Sequence, residues 1–411
     1  MIGLGLIIQT NSAQAGLEDI LYEKGLLTKE DWIKAKADNE KTAPEEEKKL
    51  DEKFPITVSY GKKGFEFQSR DGKFLMQLGS RVQLRYSYPQ EGDSLEPSPN
   101  ESSFRVRRAR LKIGGHGYEP WLKYYFEYDW PSVSLLDWRV DVARFKWAIL
   151  RVGQWKVEYN RERVDSSGNQ QFVERSIVNA PFTLDRQVGA RLGGHLFEDT
   201  LAYAIYNVGV FTGLGLNQPR NDDDAMLYVG RIQWNFFGRD LPFSQSDVEY
   251  TENPTGSLAV AGAHNRANRF NFPQAVPAPG VVPGQYQINQ GVQEFAFKWR
   301  GLSVQEEFHV KEVADRANSV TTTSLGFYAH VGYFPHALIS YIPRPLEFAY
   351  RYAFVDPNDH VRNDVQREST VAANWFFAGH NNKITVDYSH LTQAGGFTPV
   401  DRVRFQWDVS F

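Results

Sequence analysis

The sequence predicts an all-β protein, a transmembrane antiparallel β-barrel that follows a short N-terminal helical extension. From about residue 54 onward, apolar and polar residues alternate with a period of two, as in strands that bury one face. The alternating segments are about ten residues long, which is the length of a tilted strand that crosses a bilayer. Phe, Tyr and Trp are frequent near the segment ends, as in the aromatic girdles of membrane barrels.

The last segment shows the pattern most clearly. Val403, Phe405, Trp407, Val409 and Phe411 share one face, and Arg402, Arg404, Gln406, Asp408 and Ser410 share the other. A soluble sandwich, whose apolar faces meet inside, is the alternative to a barrel, whose apolar face contacts lipid. Charges along the whole polar face favour a water-filled interior. Because lipid cannot hydrogen-bond to backbone groups, a sheet in the membrane must close on itself.

The first 53 residues differ from the rest of the chain. Residues 1–15 join a short apolar run to an Ala-Gln-Ala end, which predicts a signal peptide cleaved after Ala15. Residues 16–53 predict a periplasmic helical and charged extension, in which Thr28 and Asp31 form a weak capping box for a helix. The barrel is predicted over residues 54–411.

Composition excludes several classes of protein. A net charge of −4 over 411 residues argues against a nucleic-acid partner, which would require a basic excess. The chain has no cysteine, so disulfides and thiolate zinc sites are excluded. Neither a metal-ligand spacing nor a phosphate-binding glycine loop is evident, and we therefore predict no metal and no cofactor.

The charged face of the predicted strands points into the lumen. Alternation assigns nine basic residues to an anion path there: Arg81, Arg85, Arg108, Arg110, Lys112, Lys123, Arg139, Arg191 and Arg231. Arg105 and Arg107 fall on the opposite parity, which predicts a bulge near Arg107 or a position at the rim. A positive lining favours anions, and arginine offers two donors to an oxyanion. The alternative is that these arginines pair with acids and only hold the barrel's shape.

One connection is too long for a simple turn. Residues 158–184 separate two predicted strands, and we expect this loop to fold into the lumen and narrow it. Arg161, Arg163, Glu174 and Arg175 are the candidate constriction residues. An extracellular lid is the competing interpretation.

Six stretches together resemble one family: "FRVRRARLKIGG", "LRVGQWKVEYNRE", "VERSIVNAPFTLDRQVGARLGG", "GRIQWNFFG", "LEFAYRYAFVDPN" and "RVRFQWDVSF". They are similar, in the same order, to blocks of the phosphate-selective porin O and P family of bacterial outer membranes. The resemblance implies a trimeric porin of about sixteen strands with an arginine-lined lumen and a narrowed waist. Small anions, with phosphate or polyphosphate as candidates, would pass by diffusion. Phe411 resembles the terminal signal that the barrel-assembly machinery reads.

Two rival functions remain at this point. A general, unselective porin for small hydrophilic solutes is the first. An outer-membrane barrel hydrolase is the second, but neither His116 nor His195 lies at a persuasive spacing from a serine and an acid. The sequence therefore predicts a channel in contact with outer-membrane lipid rather than an enzyme.

Overall fold

The computed structural model describes residues 21–36, 56–61, 64–89, 102–268, 280–395 and 397–411. The chain divides into two units, Met1–Thr57 and Val58–Phe411. The predicted signal peptide and most of the predicted extension lie outside the described residues. The domain boundary at residue 53 stays a prediction.

Within the first unit, residues 21–23 and 29–36 are helical. Thr28 Oγ1 accepts from the Asp31 amide (3.2 Å), which is the threonine half of the predicted capping box, and it donates to Asp31 Oδ2 (2.6 Å). Among the described residues, no helix has both the length and the apolar character needed to cross a membrane.

The second unit is a closed antiparallel barrel of sixteen strands, β3 to β18, as predicted. The short strands β1 and β2 precede it; they pair with each other, and β2 also pairs with β3. The barrel closes where β18 pairs with β3, from Val403 opposite Tyr88 to Ser410 opposite Arg81. The strands are β1 Ile56–Gly61, β2 Gly64–Ser69, β3 Leu75–Tyr88, β4 Ser103–Gly117, β5 Glu119–Asp129, β6 Ser134–Phe145, β7 Ala148–Lys156, β8 Arg186–Leu196, β9 Ala204–Phe211, β10 Leu227–Trp234, β11 Thr255–Ala267, β12 Tyr286–Trp299, β13 Leu302–Asp315, β14 Val320–Tyr333, β15 Leu346–Asp356, β16 Gln366–Phe376, β17 Asn382–Gln393 and β18 Val400–Ser410.

Alternation decides which side chains face the lumen. In β18, Arg404 and Asp408 are buried inside the barrel, whereas Phe405 and Trp407 are exposed on the outer wall. The β3–β4 register shifts by one residue at Gln83 and Leu84, which leaves Arg107 as the extra residue. The bulge predicted at Arg107 is therefore confirmed.

The two ends of the barrel differ in their connections. One end, here called the turn end, carries short links such as residues 146–147 and 300–301. The other, the loop end, carries most of the long connections, including residues 157–185. Short periplasmic turns and long extracellular loops are typical of bacterial outer-membrane barrels.

Two of the connections that the structure describes enter the lumen, one from each end. Residues 157–185, here called the waist loop, enter from the loop end and contain the short helices Arg161–Val164 and Asn179–Phe182. Residues 235–254, the second inward segment, enter from the turn end. A 3₁₀ helix, Pro335–Ala337, lies in the β14–β15 connection.

Candidate functional site

The waist loop packs its apolar side chains against one half of the inner wall. Phe182 and Val178 are fully buried against Tyr328 and Val355, on β14 and β15. Gly326 provides the space for this contact, because a Cβ at that position would lie 2.4 Å from Phe182. Burying a side chain such as Phe182 contributes about 1.5–3 kcal/mol. The loop therefore covers much of the inner wall of the later strands and leaves a passage along β3 to β10, with residues of β15, β16 and β18 also lining its loop end.

Two carboxylates of the wall hold the start of the first loop helix. Glu307 accepts hydrogen bonds from the amide of Glu162 (2.6 Å) and from Asn160 Nδ2 (3.1 Å). Glu294 accepts a hydrogen bond from the amide of Arg161 (3.1 Å). Amides in the first turn of a helix have no partner within the helix, so these wall carboxylates both satisfy them and fix the loop.

The second inward segment meets the waist loop in the middle of the lumen. The amide of Gln171 donates to Gln245 Oε1 (2.8 Å), and the amide of Gln245 donates to the carbonyl of Asn169 (2.9 Å). Lys298 on β12 fixes the segment from the wall, donating to the carbonyl of Ser246 (2.8 Å). Sequence reasoning missed this segment, although its length of twenty residues was a usable signal at an end where most links are short.

Three cavities follow one another along the open wall. The loop-end cavity has a volume of about 260 Å³, the middle cavity about 590 Å³ and the turn-end cavity about 560 Å³. Arg110, Lys156 and Arg186 line both of the first two. Lys112 and Arg139 line both of the last two. The cavities therefore form a series past the waist loop.

Basic residues outnumber acidic ones along this series. Ten basic and four acidic residues line the loop-end cavity, and eight basic and four acidic residues line the middle cavity. Four basic side chains and Asp141 line the turn-end cavity. The passage is net positive although the whole chain carries a net charge of −4.

The nine basic residues predicted from alternation all lie on β3 to β10. Arg81, Arg85, Arg108 and Arg231 are buried, whereas Lys123 is exposed at the turn end. All but Arg85 line one of the three cavities. Arg85 is directed at the waist loop, where Nη2 donates to the carbonyl of Val173 (2.8 Å). The structure thus places these side chains together, and their role in conduction stays a prediction.

Many of these arginines also form ion pairs. Arg110 contacts Glu127 (2.8 Å) and Asp129 (3.3 Å). Arg231 contacts Glu294 (2.6 Å), and Arg191 contacts Glu158 (3.3 Å). Such pairs tie the strands to one another and to the waist loop, and they neutralise part of the wall's charge.

Glu174 is the acidic centre of the waist. Its carboxylate contacts Arg85 (2.9 Å), Arg108 (2.9 Å) and Arg107 (3.5 Å). Burial alone would raise the pKa of Glu174, but the guanidinium groups of Arg108, Arg85 and Arg107 together hold it well below its usual value. One negative charge therefore faces three positive charges across the working pH range.

Two waist cations are held by carbonyl groups. Lys156 Nζ donates to the carbonyl of Asp165 (3.0 Å). Arg175 donates through Nε to the carbonyl of Glu162 (2.9 Å) and through Nη2 to that of Asp165 (2.8 Å). Carbonyl oxygens accept hydrogen bonds without carrying a full charge, so they position these cations without neutralising them.

Lys156 is the waist residue that sequence reasoning missed. In β7, the exposed residues Leu150 and Val152 would place Lys156 on the outer face by simple alternation. The alternation ends at Gly153, whose φ of +132° is unfavourable for any other residue. Lys156 instead lines the loop-end and middle cavities.

The four candidate constriction residues separate into two groups. Arg163, Glu174 and Arg175 line the loop-end cavity, with Arg163 Nε donating to Asp185 (2.8 Å). Arg161 points to the opposite wall, where Nε donates to Gln305 Oε1 (3.2 Å). Arg161 therefore ties the loop to β13, and the other three residues stand beside the passage.

The two histidines considered for catalysis lie near the turn end. His116 Nε2 lies 2.9 Å from the carbonyl of Gly72. His195 Nδ1 lies 2.6 Å from the hydroxyl of Tyr203. In each histidine, one ring nitrogen therefore contacts a residue close to the end of the strand that carries it.

A family model described as phosphate-selective porin O and P matches residues 76–406. The chain belongs to this family. It is accordingly an outer-membrane porin, a channel protein of the bacterial outer membrane. The match spans the barrel from β3 almost to the end of β18. Among curated proteins, none matches this porin in sequence.

Solved porin structures share the fold at very low sequence identity. A loop-deletion mutant of the Vibrio cholerae outer membrane protein OmpT aligns with a TM-score of 0.56 and 8% identity, over 82% of this chain and 100% of its own. An anion-selective porin from Comamonas acidovorans aligns at 0.53 and 10% identity, over 82% and 99%. The trimer form of Vibrio cholerae OmpT aligns at 0.51 and 6% identity, over 82% and 99%.

Phe411 completes the seam of the porin barrel. Its amide donates to the carbonyl of Ser80 (3.0 Å), and the amide of Ser80 donates to the carbonyl of Phe411 (3.0 Å). The ring of Phe411 is exposed on the outer wall.

Proposed function

We propose that this porin conducts small anions by passive diffusion and binds oxyanions such as phosphate weakly at its waist. The observation that carries the proposal is the row of three cavities in the lumen, in which basic residues exceed acidic ones at every step. The nine predicted wall residues would attract anions along this row. Arg163, Arg175 and Lys156 would stand where it is narrowest.

The excess of basic residues supports selection of permeating ions by the sign of their charge. A positive lining lowers the electrostatic barrier to anions and raises it for cations. Ion pairs reduce this effect for individual arginines, but the excess in the loop-end cavity is six positive charges. Salt in the lumen screens distant charges, so the residues nearest the waist contribute most.

Oxyanion binding follows from the donor geometry. Arg108 and Arg110 each present a planar fork of donors, and Lys156 adds a compact charge at the junction of two cavities. A phosphate in the loop-end cavity would meet donors from both the wall and the waist loop. Arg108 already donates to Glu174, Arg110 to Glu127 and Lys156 to the carbonyl of Asp165. Binding would exchange these hydrogen bonds and remain weak enough for release.

A general, unselective porin is the second candidate function. The extensive pairing favours it, since Arg110 and Arg231 contact carboxylates of the wall and Arg191 contacts Glu158 of the waist loop. In that case the arginines would hold the barrel's shape, and permeation would depend on solute size alone.

Reversal potentials of single channels under a potassium chloride gradient separate the two functions. We expect a chloride-selective potential and a current that added phosphate reduces. Lys156→Gln and Arg175→Gln should weaken both effects, whereas Lys146→Gln should leave them unchanged, because the Lys146 side chain is 80% exposed at the turn end. An unselective reversal potential that none of the three substitutions changes, together with a current that phosphate does not reduce, would support the second candidate.

Assembly and biogenesis belong to the same proposal. The trimer form of OmpT shares this fold, and we take the functional unit of this porin to be a homotrimer. Phe411 would serve as the signal for the barrel-assembly machinery. Phe411→Ala should reduce the amount of folded porin in the outer membrane, while refolding of the purified chain in detergent should be less affected.

A further inference from the structure

Apolar residues form part of the lining of the middle cavity. Leu241, Pro242 and Phe243, three consecutive residues of the second inward segment, line it together with Val164 of the waist loop and Ile205 of β9. Pro242 is exposed and Phe243 is half-buried, so both present carbon atoms to the lumen. Water and small inorganic anions gain nothing from contact with such atoms, whereas a solute with an apolar surface does.

The waist loop holds this part of the second inward segment through its backbone. Arg161 Nη2 donates to the carbonyl of Pro242, and Asn169 Nδ2 donates to the carbonyl of Phe243 (3.3 Å). The guanidinium carbons of Arg161 and Arg231 lie 4.8 Å and 5.9 Å from the centroid of the Phe243 ring, which are cation–π contacts. The ring is therefore fixed in place while part of its surface remains open to the cavity.

Two basic side chains at the boundary of the middle and turn-end cavities have donors available. Lys112 and Arg139 line both cavities. Among the residues that the structure describes, Lys112 Nζ forms neither a hydrogen bond nor an ion pair. Arg139 lies 3.8 Å from carboxylate oxygens of Asp137 and of Asp141, which is beyond hydrogen-bond distance. Both cations can therefore donate to a further acceptor.

Tyr125 brings an aromatic ring to the same boundary. It lines both cavities, and the guanidinium carbon of Arg139 lies 4.8 Å from its ring centroid. Its hydroxyl donates to Glu127 Oε2 (2.9 Å), which fixes the orientation of the ring. An anion that accepts hydrogen bonds from Arg139 would therefore lie beside an aromatic ring.

We propose that the middle cavity binds organic anions with an apolar body, and that aromatic carboxylates are the preferred class. This inference deepens the anion path proposed above and rests on it. The carboxylate accepts hydrogen bonds from Lys112 and Arg139, since a guanidinium group offers two parallel donors to such a group. The aromatic body contacts Tyr125, Pro242 and Phe243.

The size and lining of the cavity suit this class of solute. Its volume of about 590 Å³ lies within the roughly 300–1,000 Å³ of sites for small organic ligands, which combine apolar residues with a few polar groups. Inorganic phosphate would meet the same donors but would gain nothing from the apolar residues. The second inward segment therefore adds affinity for organic anions to a passage that attracts anions in general.

Block of the potassium chloride current by benzoate and by acetate isolates the contribution of the apolar body, because the two anions share a carboxylate. We expect benzoate to halve the current at an about tenfold lower concentration than acetate. Tenfold corresponds to about 1.4 kcal/mol, the contribution of roughly 55 Å² of apolar surface removed from water at about 25 cal/mol per Å². Equal concentrations would overturn the proposal.

Phe243→Ala tests the position of the site. It removes the ring but keeps the carbonyl that accepts from Asn169. The benzoate concentration that halves the current should move to within about twofold of the acetate concentration, while the phosphate concentration should change less than twofold. Tyr341→Ala is the matched control, because Tyr341 is 86% exposed in the β14–β15 connection and lines none of the three cavities. A benzoate block that Phe243→Ala leaves unchanged would refute the assignment to this cavity.

Lys112→Gln tests the carboxylate end and does not depend on the second inward segment. It should raise the benzoate and acetate concentrations by the same factor, which leaves their ratio unchanged. Block by both anions that is indifferent to Lys112→Gln would contradict the assigned orientation.

The same recordings separate this inference from its basis. An unselective reversal potential in a potassium chloride gradient would count against the anion path itself. An anion-selective channel that benzoate and acetate block equally would count against the aromatic class alone.

Discussion

Replacing Glu174 by Gln changes the charge of the waist with little change in shape. The carboxylate of Glu174 contacts Arg85, Arg107 and Arg108, and glutamine retains one carbonyl oxygen to accept from them. The pKa of Glu174 is held well below its usual value by these arginines, so the group is charged at neutral pH and the substitution removes one full negative charge. We therefore expect anion selectivity to increase.

The structure gives the size of the effect. An anion on the far side of a guanidinium group, with contacts like the 2.9 Å between Arg108 and Glu174, would lie about 6 Å from the lost charge. At that distance the repulsion between unit charges is about 0.7 kcal/mol in water and about 2.8 kcal/mol at an effective dielectric constant of 20. Anion occupancy at the waist should thus increase by about 3-fold to 100-fold, with the lower value at high salt.

The assay is the reversal potential of Glu174→Gln across a potassium chloride gradient, with the phosphate concentration that halves the current as a second measure. Asp401→Asn is the matched control, because Asp401 is an exposed acid on the outward parity of β18. Heat-modifiable migration on gels checks that both variants are folded. A selectivity that is unchanged, or that moves toward cations, would refute the assignment of the anion path to the waist.

Asp165 gives two further predictions, and the anchoring residues Glu307 and Asp247 give one each. Burial raises the pKa of Asp165 to about 6, although Arg161 and Lys298 favour its charged form. Protonation removes a negative charge from the waist, so anion selectivity should increase as pH falls from 7.5 to 5, with a midpoint at about 6. Asp165→Asn should abolish this pH dependence. The usual pKa of Asp165 is 3.8, so the folded porin binds the proton more tightly than the unfolded chain, and thermal stability should decrease as pH rises through this interval, less so in Asp165→Asn. Glu307→Ala removes the acceptor of the Glu162 backbone amide and of the Asn160 side-chain amide. Each amide left without a partner costs about 1–3 kcal/mol of free energy. The loop should become more mobile and open-channel current noise should increase; unchanged noise would contradict the anchoring role. Asp247→Ala removes the acceptor of the Thr251 and Gly301 amides (3.1 and 2.7 Å), and protease cleavage within residues 235–254 should become faster. Unchanged cleavage would show that the other contacts of the segment, with Lys298 and with the waist loop, hold it without Asp247.

Much of the wall could be predicted because alternation is a local property. In β3, apolar residues alternate with polar or charged ones. This alone identifies Arg81 and Arg85 as inward, without knowledge of the partner strand. The bulge at Arg107 was predictable for the same reason, since two arginines out of phase need an extra residue to restore the pattern.

The waist was less predictable because its geometry depends on distant residues. Lys156 follows Gly153, where the pleat is interrupted, so alternation gives the wrong face for it. Arg161 was grouped with Arg163 by sequence, yet a single helical turn directs the two to opposite sides. The second inward segment is held by Lys298, far along the chain, which no local pattern indicates.

The meeting of the two inward segments links the two mouths of the channel mechanically. The waist loop starts at one mouth and residues 235–254 start at the other, and the bonds between Gln171, Asn169 and Gln245 join their tips. Displacement of either tip pulls on the other, so local opening at one mouth is resisted from the opposite side of the membrane. Thermal fluctuations of the pore should therefore be collective, with current steps between few discrete levels rather than a graded series.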